Sequence, residues 1–205
     1  MQVGMRRKTR WEEKREASLQ ALLDSAMRCF GERGYAATRV EDIVQGTGYT
    51  SGAFYFHFKN KADCCRQVID YRARLRGDWP THILDGLEPA TSSLQEVLEQ
   101  VFAHFAKVQL GVGDWVAVMV DFRQQYRHDP ETQALLADFY ARSHAEIQRF
   151  VEALQRGGWV DPGRDPDLLA TQLYAFGEGV IIHGAVYGID RTRGVIDGHI
   201  RLLTS

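Results

Sequence analysis

The sequence predicts an all-α protein with a small front unit of helices and a larger helical bundle behind it. Apolar residues recur at the spacing of one helical face in segment after segment, and no sustained apolar-polar alternation marks a strand. Glycine or proline separates the segments. We find no internal repeat and no low-complexity linker, so the two units are expected to join through a helix.

The composition is that of an ordinary globular protein. The chain has 205 residues, of which 44% are hydrophobic and 25% charged, so one or two compact units are expected. No apolar run reaches the roughly 18 residues of a membrane span. Residues 1–10 are basic without an apolar segment behind them, so no secretory signal is expected. Three cysteines, two of them neighbours, do not indicate a disulfide framework. We therefore expect a reduced, cytoplasmic setting.

Charge is distributed unevenly along the chain. Its net value is −2, but residues 1–80 carry an excess of basic side chains and the remainder an excess of acidic ones. Residues 1–15 form a basic arm that is either a solvated tail or a contact for a polyanion. This distribution predicts that a nucleic acid contacts the front end only, because the acidic end weakens the attraction of phosphates.

The front unit is predicted to contain four helices. Apolar periodicity predicts a first helix over residues 13–33, ending before Gly34. Thr38 and Glu41 have the spacing of a capping box and predict a second helix that ends near Gly46. Thr50 or Ser51 is expected to cap the third helix. A fourth helix then begins at Asn60, continues to about residue 77 and is interrupted by Gly77 and Pro80.

The back unit is predicted to be helical to its end. Ser92 or Ser93 is expected to cap its first helix, and the last helix spans residues 192–203. Helices over residues 131–156 and 165–188 are the longest. The second of these is apolar on more than one face and contains Gly177, Gly179 and Gly184, which permit close approach of another helix.

Residues 38–58 have the size of a helix-turn-helix, whose second helix enters the major groove of DNA. Hydroxyls at the start of that helix and hydrogen-bond donors around it suit contact with phosphates and bases. A glycine turn between short helices is also common in proteins that bind no DNA, so this geometry alone leaves both interpretations open. The candidate donors are Arg39, Thr50, Ser51, Tyr55, His57, Lys59 and Lys61.

Two motifs resemble the DNA-binding domain of the TetR family. They are FGERGYAAT at residues 30–38 and GYTSGAFYFHFKNK at residues 48–61, and the resemblance extends over residues 16–76. It implies a dimeric bacterial transcription regulator, in most members a repressor. It also implies that Thr50, Ser51 and Phe56 face the groove, with Phe56 on a thymine methyl or a sugar.

The same resemblance implies that Tyr55, His57 and Lys61 contact the DNA backbone, and that Gly52 lets the helix approach closely. Phe54 and Phe58 are expected to fill the small core beneath the motif. The two longest helices, over residues 131–156 and 165–188, would form the four-helix bundle of the dimer.

An aromatic-rich interior in the back unit is a candidate ligand pocket, because helical bundles build ligand sites from facing side chains. An apolar or aromatic molecule would suit it. An aromatic stripe at helical spacing is, however, usually plain core. The candidate lining residues are Phe102, Phe105, Trp115, Met119, Phe122, Tyr126, Tyr140, His144, Tyr174 and Glu178.

Metal sites and catalysis find no support in the sequence. No H-x-x-x-H, C-x-x-C, P-loop, nucleophile elbow or dinucleotide fingerprint is present, and Cys64 and Cys65 cannot face one ion from a helix. Neither a cofactor nor an enzymatic activity is therefore expected. Cys29, Cys64 and Cys65 are expected to be packing residues.

The sequence as a whole predicts a ligand-responsive regulator that binds a palindromic operator in double-stranded DNA as a homodimer. Residues 1–15 would be the basic arm, 16–76 the helix-turn-helix domain, and 80–205 the ligand-binding and dimerisation domain. The fourth helix is expected to be the only continuous lever between the units. A helical small-molecule-binding protein without operator recognition and an activator of the same layout are the alternatives.

Overall fold

The computed structural model describes residues 9–75, 78–109, 115–188 and 192–204, and these residues form helices joined by short connections without any strand. The side chains of residues 105–109, 116, 180, 181, 184–186 and 192 lie outside the description. The helices are α1 (Arg10–Arg33), α2 (Val40–Val44), α3 (Ser51–His57), α4 (Lys61–Leu75), α5 (Trp79–Leu84), α6 (Leu94–Gln109), α7 (Trp115–Gln125), α8 (Pro130–Gly157), α9 (Pro166–Tyr187) and α10 (Thr192–Thr204). The predicted all-α class is confirmed.

The first helix begins earlier than predicted, and the second begins at a cap that differs from the predicted one. α1 starts three residues early, because Thr9 and Glu12 form a reciprocal capping box. α2 is not capped by Thr38. The Asp42 carboxylate accepts the Arg39 N–H at 2.8 Å, while the buried Thr38 hydroxyl donates to the carbonyl of Gly34 at 2.8 Å. Thr38 thus holds the turn before α2.

Other predicted boundaries are confirmed. Thr50 Oγ1 accepts the N–H of Ala53 at the start of α3, and Asn60 Oδ1 accepts the N–H of Asp63 at the start of α4. Ser93 caps α6 through the N–H of Glu96.

The fourth helix ends close to the predicted interruption, since α4 ends at Leu75, before Gly77 and Pro80. Pro80 lies in the first turn of α5, where its missing N–H costs no hydrogen bond, so a short helix begins there that the sequence did not suggest. Its flanking Trp79 is 2% exposed and packs on the Phe150 ring with centroids 5.0 Å apart.

Buried apolar side chains form two clusters. The front cluster joins residues of α1–α4 to Trp115, Val118 and Phe122 of α7. The rear cluster is built from α5, α6, α8, α9 and α10 around Phe150 and Leu154. Cys29, Cys64 and Cys65 lie in the front cluster as free, buried thiols, as predicted.

Two sets of contacts join the front helices to those behind. α7 packs into the front cluster, and ion pairs connect α4 to α8. Arg142 donates to Asp70 at 2.8 Å, while Arg66 lies 3.3 Å from Asp129 and 3.2 Å from Glu131. Contact between the units therefore does not pass through the fourth helix alone, contrary to the prediction. Among the described residues no helix is long and apolar enough to cross a membrane.

The buried His199 imidazole makes the stability of the fold depend on pH. It lies between the rings of Phe102 and Phe176, with centroids 5.6 and 5.0 Å away. Its Nε2 is 3.4 Å from the Leu173 carbonyl, so Nε2 carries the proton. Burial lowers the pKa of His199 below its ordinary 6.5. The unfolded chain then binds more protons than the folded one in the window below pH 6.5.

We expect the free energy of unfolding to fall as the pH is lowered from about 7 to about 5, and His199→Gln to make this dependence shallower. Urea unfolding at a series of pH values measures both. His82→Gln, which changes an exposed histidine of α5, is the control and should retain the wild-type slope. An unchanged slope in His199→Gln would contradict the assignment.

Candidate nucleic-acid interface

α2 and α3 form a helix-turn-helix. The connection between them spans residues 45–50, where Gly46 and Gly48 adopt φ values of +79° and +77° that residues other than glycine rarely adopt. Ile43, Phe54 and Phe58 are at most 1% exposed and fasten the two helices to the front cluster. The predicted core role of Phe54 and Phe58 is confirmed.

The outer face of α3 carries three of the predicted DNA-binding residues, Gly52, Tyr55 and Phe56. Tyr55 is 59% exposed and Phe56 63%, and Gly52 lies one turn earlier on the same exposed stripe. A Cβ built on Gly52 would meet only Thr50 Oγ1, at 3.5 Å, so the backbone there is open to an approaching surface. Thr50 is exposed and Ser51 half-buried at the start of this stripe.

The predicted cations Arg39 and Lys59 both have exposed side chains, one before α2 and the other after α3. They therefore lie at opposite ends of the helix-turn-helix in the chain. A guanidinium and an ammonium on either side of an uncharged stripe suit contact with phosphates that border a groove.

His57 is half-buried and bound to α1. Its Nε2 lies 2.8 Å from the Ser18 hydroxyl, and that hydroxyl donates its proton to the Arg15 carbonyl at 2.9 Å. Ser18 must then accept, so His57 carries its proton on Nε2. Burial, with a smaller contribution from the Arg15 charge, lowers the pKa of His57. His57 thus positions α3 against α1 as well as bordering the exposed stripe.

Ser18 and Arg15 were not among the predicted site residues. Ser18 lies four residues before the buried Leu22, on the same face of α1, and is 8% exposed. A serine within this apolar face was the sequence signal that could have identified it. Arg15 belonged to the predicted basic arm. Its effect on the His57 pKa shows that its charge lies near the end of α3.

Lys61 does not have the geometry of a phosphate contact, and this corrects the role that the resemblance implied. Its Nζ donates to the carbonyls of Tyr35, Ala36 and Thr38 at 2.9, 3.2 and 2.9 Å, so all three ammonium protons are used within the protein. The Tyr35 ring lies 4.4 Å from the same nitrogen. Burial lowers the pKa of Lys61. Lys61 holds the residues that lead into α2.

The aromatic residues predicted to line one pocket are divided among three places. Trp115 and Phe122 lie in the front cluster, with Met119 and Tyr126 packed against it. Phe102 packs against the rear cluster. Tyr140, His144 and Tyr174 lie together where α8 meets α9, Glu178 is exposed on α9, and the Phe105 side chain lies outside the described residues. The structure does not bring the set to one cavity.

The reason is that α7 packs against the front helices. The Tyr126 and Tyr35 hydroxyls are 2.9 Å apart, and the Asp121 carboxylate accepts the Ala36 N–H at 3.0 Å. Phe122 is fully buried with its ring 4.9 Å from that of Tyr35. Helical spacing identified this apolar face correctly but not the unit that it packs against.

Metal ligation is not indicated by the described residues, since no three His, Cys, Asp or Glu side chains among them are grouped to hold an ion. Burial raises the pKa of the Cys64 and Cys65 thiols. These thiols are therefore protonated at neutral pH, and a thiol is a weak ligand and nucleophile.

Family models match both parts of the chain. Residues 22–68 match the model of bacterial regulatory proteins of the tetR family, and residues 89–204 match the C-terminal model of BetI-type transcriptional repressors. The chain belongs to the TetR family. The tetR-family model over residues 22–68 includes all of α2 and α3, so the exposed stripe of α3 lies within a region that matches bacterial transcriptional regulators.

Relatives of the same TetR family support this assignment. The regulator AcrR of Shigella flexneri is 27% identical over 174 residues, covering 71% of this chain and 78% of AcrR. The repressor KstR2 of Mycolicibacterium smegmatis is 31% identical over 157 residues, covering 76% and 71%. A Lactococcus lactis regulator is 26% identical over 98 residues, about half of its length (48%).

A solved structure shares the fold. The transcriptional regulator FadR of Bacillus subtilis, in complex with stearoyl-CoA, superposes with a TM-score of 0.64 at 15% identity, covering 91% of this chain and 97% of FadR. At this identity the likeness concerns the fold alone. The all-α TetR architecture thus extends through both parts of the chain.

Lys61 and Lys59 should separate structural from surface roles. Lys61→Met leaves three carbonyls without their charged donor, so we expect a loss of about 1–3 kcal/mol in the free energy of unfolding. Lys59→Met removes the same charge from an exposed position and should leave the unfolding midpoint unchanged. Urea unfolding compares them, and equal midpoints would refute the internal role of Lys61.

Proposed function

We propose that this TetR-family regulator represses transcription by binding a palindromic operator in double-stranded DNA as a homodimer, and that a small apolar or aromatic effector releases it. The observation that carries the proposal is the exposed stripe of α3, formed by Gly52, Tyr55 and Phe56 on a helix that buries Phe54 in the front cluster on its other side. The related KstR2 is a transcriptional repressor.

The DNA contacts that we propose follow the exposure of the side chains. Thr50, Ser51, Gly52 and Phe56 would face the groove, and Tyr55, Arg39 and Lys59 would contact the backbone. His57 would border the backbone from its bond to Ser18. Lys61 would act indirectly, by holding the turn before α2.

Dimerisation through α8 and α9 is supported by apolar side chains that a single chain leaves open. Tyr140, Leu168, Phe176, Ile182 and Tyr187 are 41–65% exposed, and all lie on these two helices. A Cβ built on Gly177 or Gly179 would meet nothing within 4 Å, so no helix of the described chain uses the close approach that these glycines permit. Gly184 lies outside the described side chains. A second copy would cover this surface and place two α3 helices along one DNA face.

An effector near the start of α7 is supported by Trp115. Its indole is 8% exposed, and its Nε1–H has no hydrogen-bond partner among the described residues. A buried N–H without an acceptor costs about 1–3 kcal/mol, which a ligand carrying an acceptor would recover. Because α7 packs against the turn before α2, an effector that displaces α7 would act on the helix-turn-helix directly.

The proposed division of labour follows from these sites. Residues 16–76 would bind DNA, residues 80–205 would bind the effector and dimerise, and residues 1–15 would add a basic arm that follows the backbone. α7 belongs to the second part by sequence and packs on the first, which makes it the contact between the two activities.

Operator binding is tested by selecting bound sequences from a random duplex pool with the full chain and measuring their affinity by fluorescence anisotropy at several salt concentrations. We expect a palindrome whose affinity falls steeply with salt, and Lys59→Met should weaken binding and reduce the salt slope by about one phosphate contact. Arg156→Met, which also removes one positive charge but at an exposed site of α8, should have no effect. The absence of an enriched sequence at low salt would leave a small-molecule-binding protein without operator recognition.

The dimer is tested by Ile182→Glu, which places a charge on the exposed apolar surface of α9. Burial of an unpaired charge opposes association, so the variant should sediment as a monomer at concentrations where the wild type is a dimer. Val120→Glu changes a residue of α7 that is 63% exposed and serves as the control. A dimer that persists in Ile182→Glu would contradict an interface through this part of α9.

A further inference from the structure

Phe56 is an unusual residue to leave on a surface. It is 63% exposed, and its ring has no donor or acceptor. It cannot bind a phosphate and cannot hydrogen-bond a base edge. Within α3 its neighbours on the same stripe are Gly52, which has no side chain, and Tyr55, which has a hydroxyl.

A chain of contacts that begins on another helix supports the ring of Phe56. The His57 ring meets it edge to face, with centroids 5.0 Å apart and planes at 81°. His57 is in turn fixed by Ser18 of α1 at 2.8 Å. Since the Ser18 proton is donated to the Arg15 carbonyl, the imidazole is held in one tautomer. The imidazole that the Phe56 ring contacts is therefore held in place before any ligand is bound.

The chemistry of the duplex limits what such a ring can recognise. In the major groove the base edges present hydrogen-bonding atoms and one apolar group, the C5-methyl of thymine. A sugar face is the other apolar surface within reach, but it is the same for every base pair. Tyr55 and Lys59 are exposed near Phe56 in the chain and carry groups that can bind the phosphates of the DNA backbone. The ring is thus better suited to the interior of the groove than to its border.

We propose that Phe56 reads the C5-methyl of one thymine in each operator half-site, and that Ser18, acting through His57, positions the ring to do so. This rests on the proposed function and deepens it, because it names the base feature that the recognition helix selects. Phe56 is the specificity residue and Ser18 a positioning residue that does not touch DNA.

The test replaces thymine by uracil, which removes the methyl and keeps every hydrogen-bonding atom of the base. The probe is the duplex recovered by selection with the full-length protein, with each thymine replaced in turn. For the wild type we expect one position in each half-site at which uracil weakens binding by about fourfold, the effect of one buried methyl. Replacement at other thymines should change the affinity by less than twofold.

Three variants assign that loss to the ring. Phe56→Ala should bind the thymine and uracil duplexes equally. Because Phe56 is exposed, this variant should keep the fold, which circular dichroism checks. Ser18→Ala should reduce the thymine-to-uracil ratio while leaving the salt slope unchanged, which general destabilisation of the fold would not do. Tyr55→Phe, which changes the neighbouring exposed residue, should weaken binding to both duplexes and keep the ratio.

Each outcome decides the question. A uracil penalty that persists in Phe56→Ala, or the absence of any sensitive thymine in a well-bound operator, overturns the role of Phe56 and leaves operator binding intact. An unchanged ratio in Ser18→Ala overturns the positioning role. Failure to recover any operator overturns both this inference and the proposed function on which it rests.

Discussion

The short connection between α1 and α2 is the place on which the rest of the molecule depends. Residues 34–38 form no helix, yet Lys61 of α4 donates to three of their carbonyls and Asp121 of α7 accepts one of their N–H groups. The Tyr35 ring is enclosed by Phe30 and Phe122. α4 and α7 therefore meet at one turn, and their contacts hold the residues from which α2 begins.

Because of these contacts, the front helices and those behind them cannot move independently of each other. α7 supplies three buried residues to the front cluster, and α8 is tied to α4 through Arg142 and Asp70. Burial and a partner hydroxyl both raise the pKa of Tyr35, which keeps its hydrogen bond to Tyr126 through the physiological range. A helix that moved with a bound effector would have to break or carry these contacts, so the turn before α2 would move too.

Local signals predicted the local features well. Thr50 and Asn60 cap the helices that they were expected to cap, because a hydroxyl or amide acts on an N–H three residues away. Phe54 is in the core because the helical period identifies its face. The exposed stripe of α3 was likewise visible in sequence once its motif was matched.

The features that the sequence did not predict depend on distant parts of the chain. Lys61 was assigned to DNA because a lysine is usually exposed, and nothing in its neighbourhood indicates three carbonyls more than 20 residues earlier. The aromatic face of α7 was assigned to a rear pocket, whereas it packs in the front cluster. The helical period of the apolar residues shows which face is buried but does not show what that face packs against. Thr38 satisfied a capping pattern, but its hydroxyl binds the turn behind it.

The buried thiols have a consequence for the chemistry to which this regulator is exposed. Cys64 and Cys65 have no solvent-accessible surface, and burial raises the pKa of both. Oxidants and electrophiles react with accessible thiolates, so these two buried, protonated thiols should not react with them. We therefore expect Cys64 and Cys65 to stay reduced under oxidative stress, so that these two thiols would not act as sensors of oxidants.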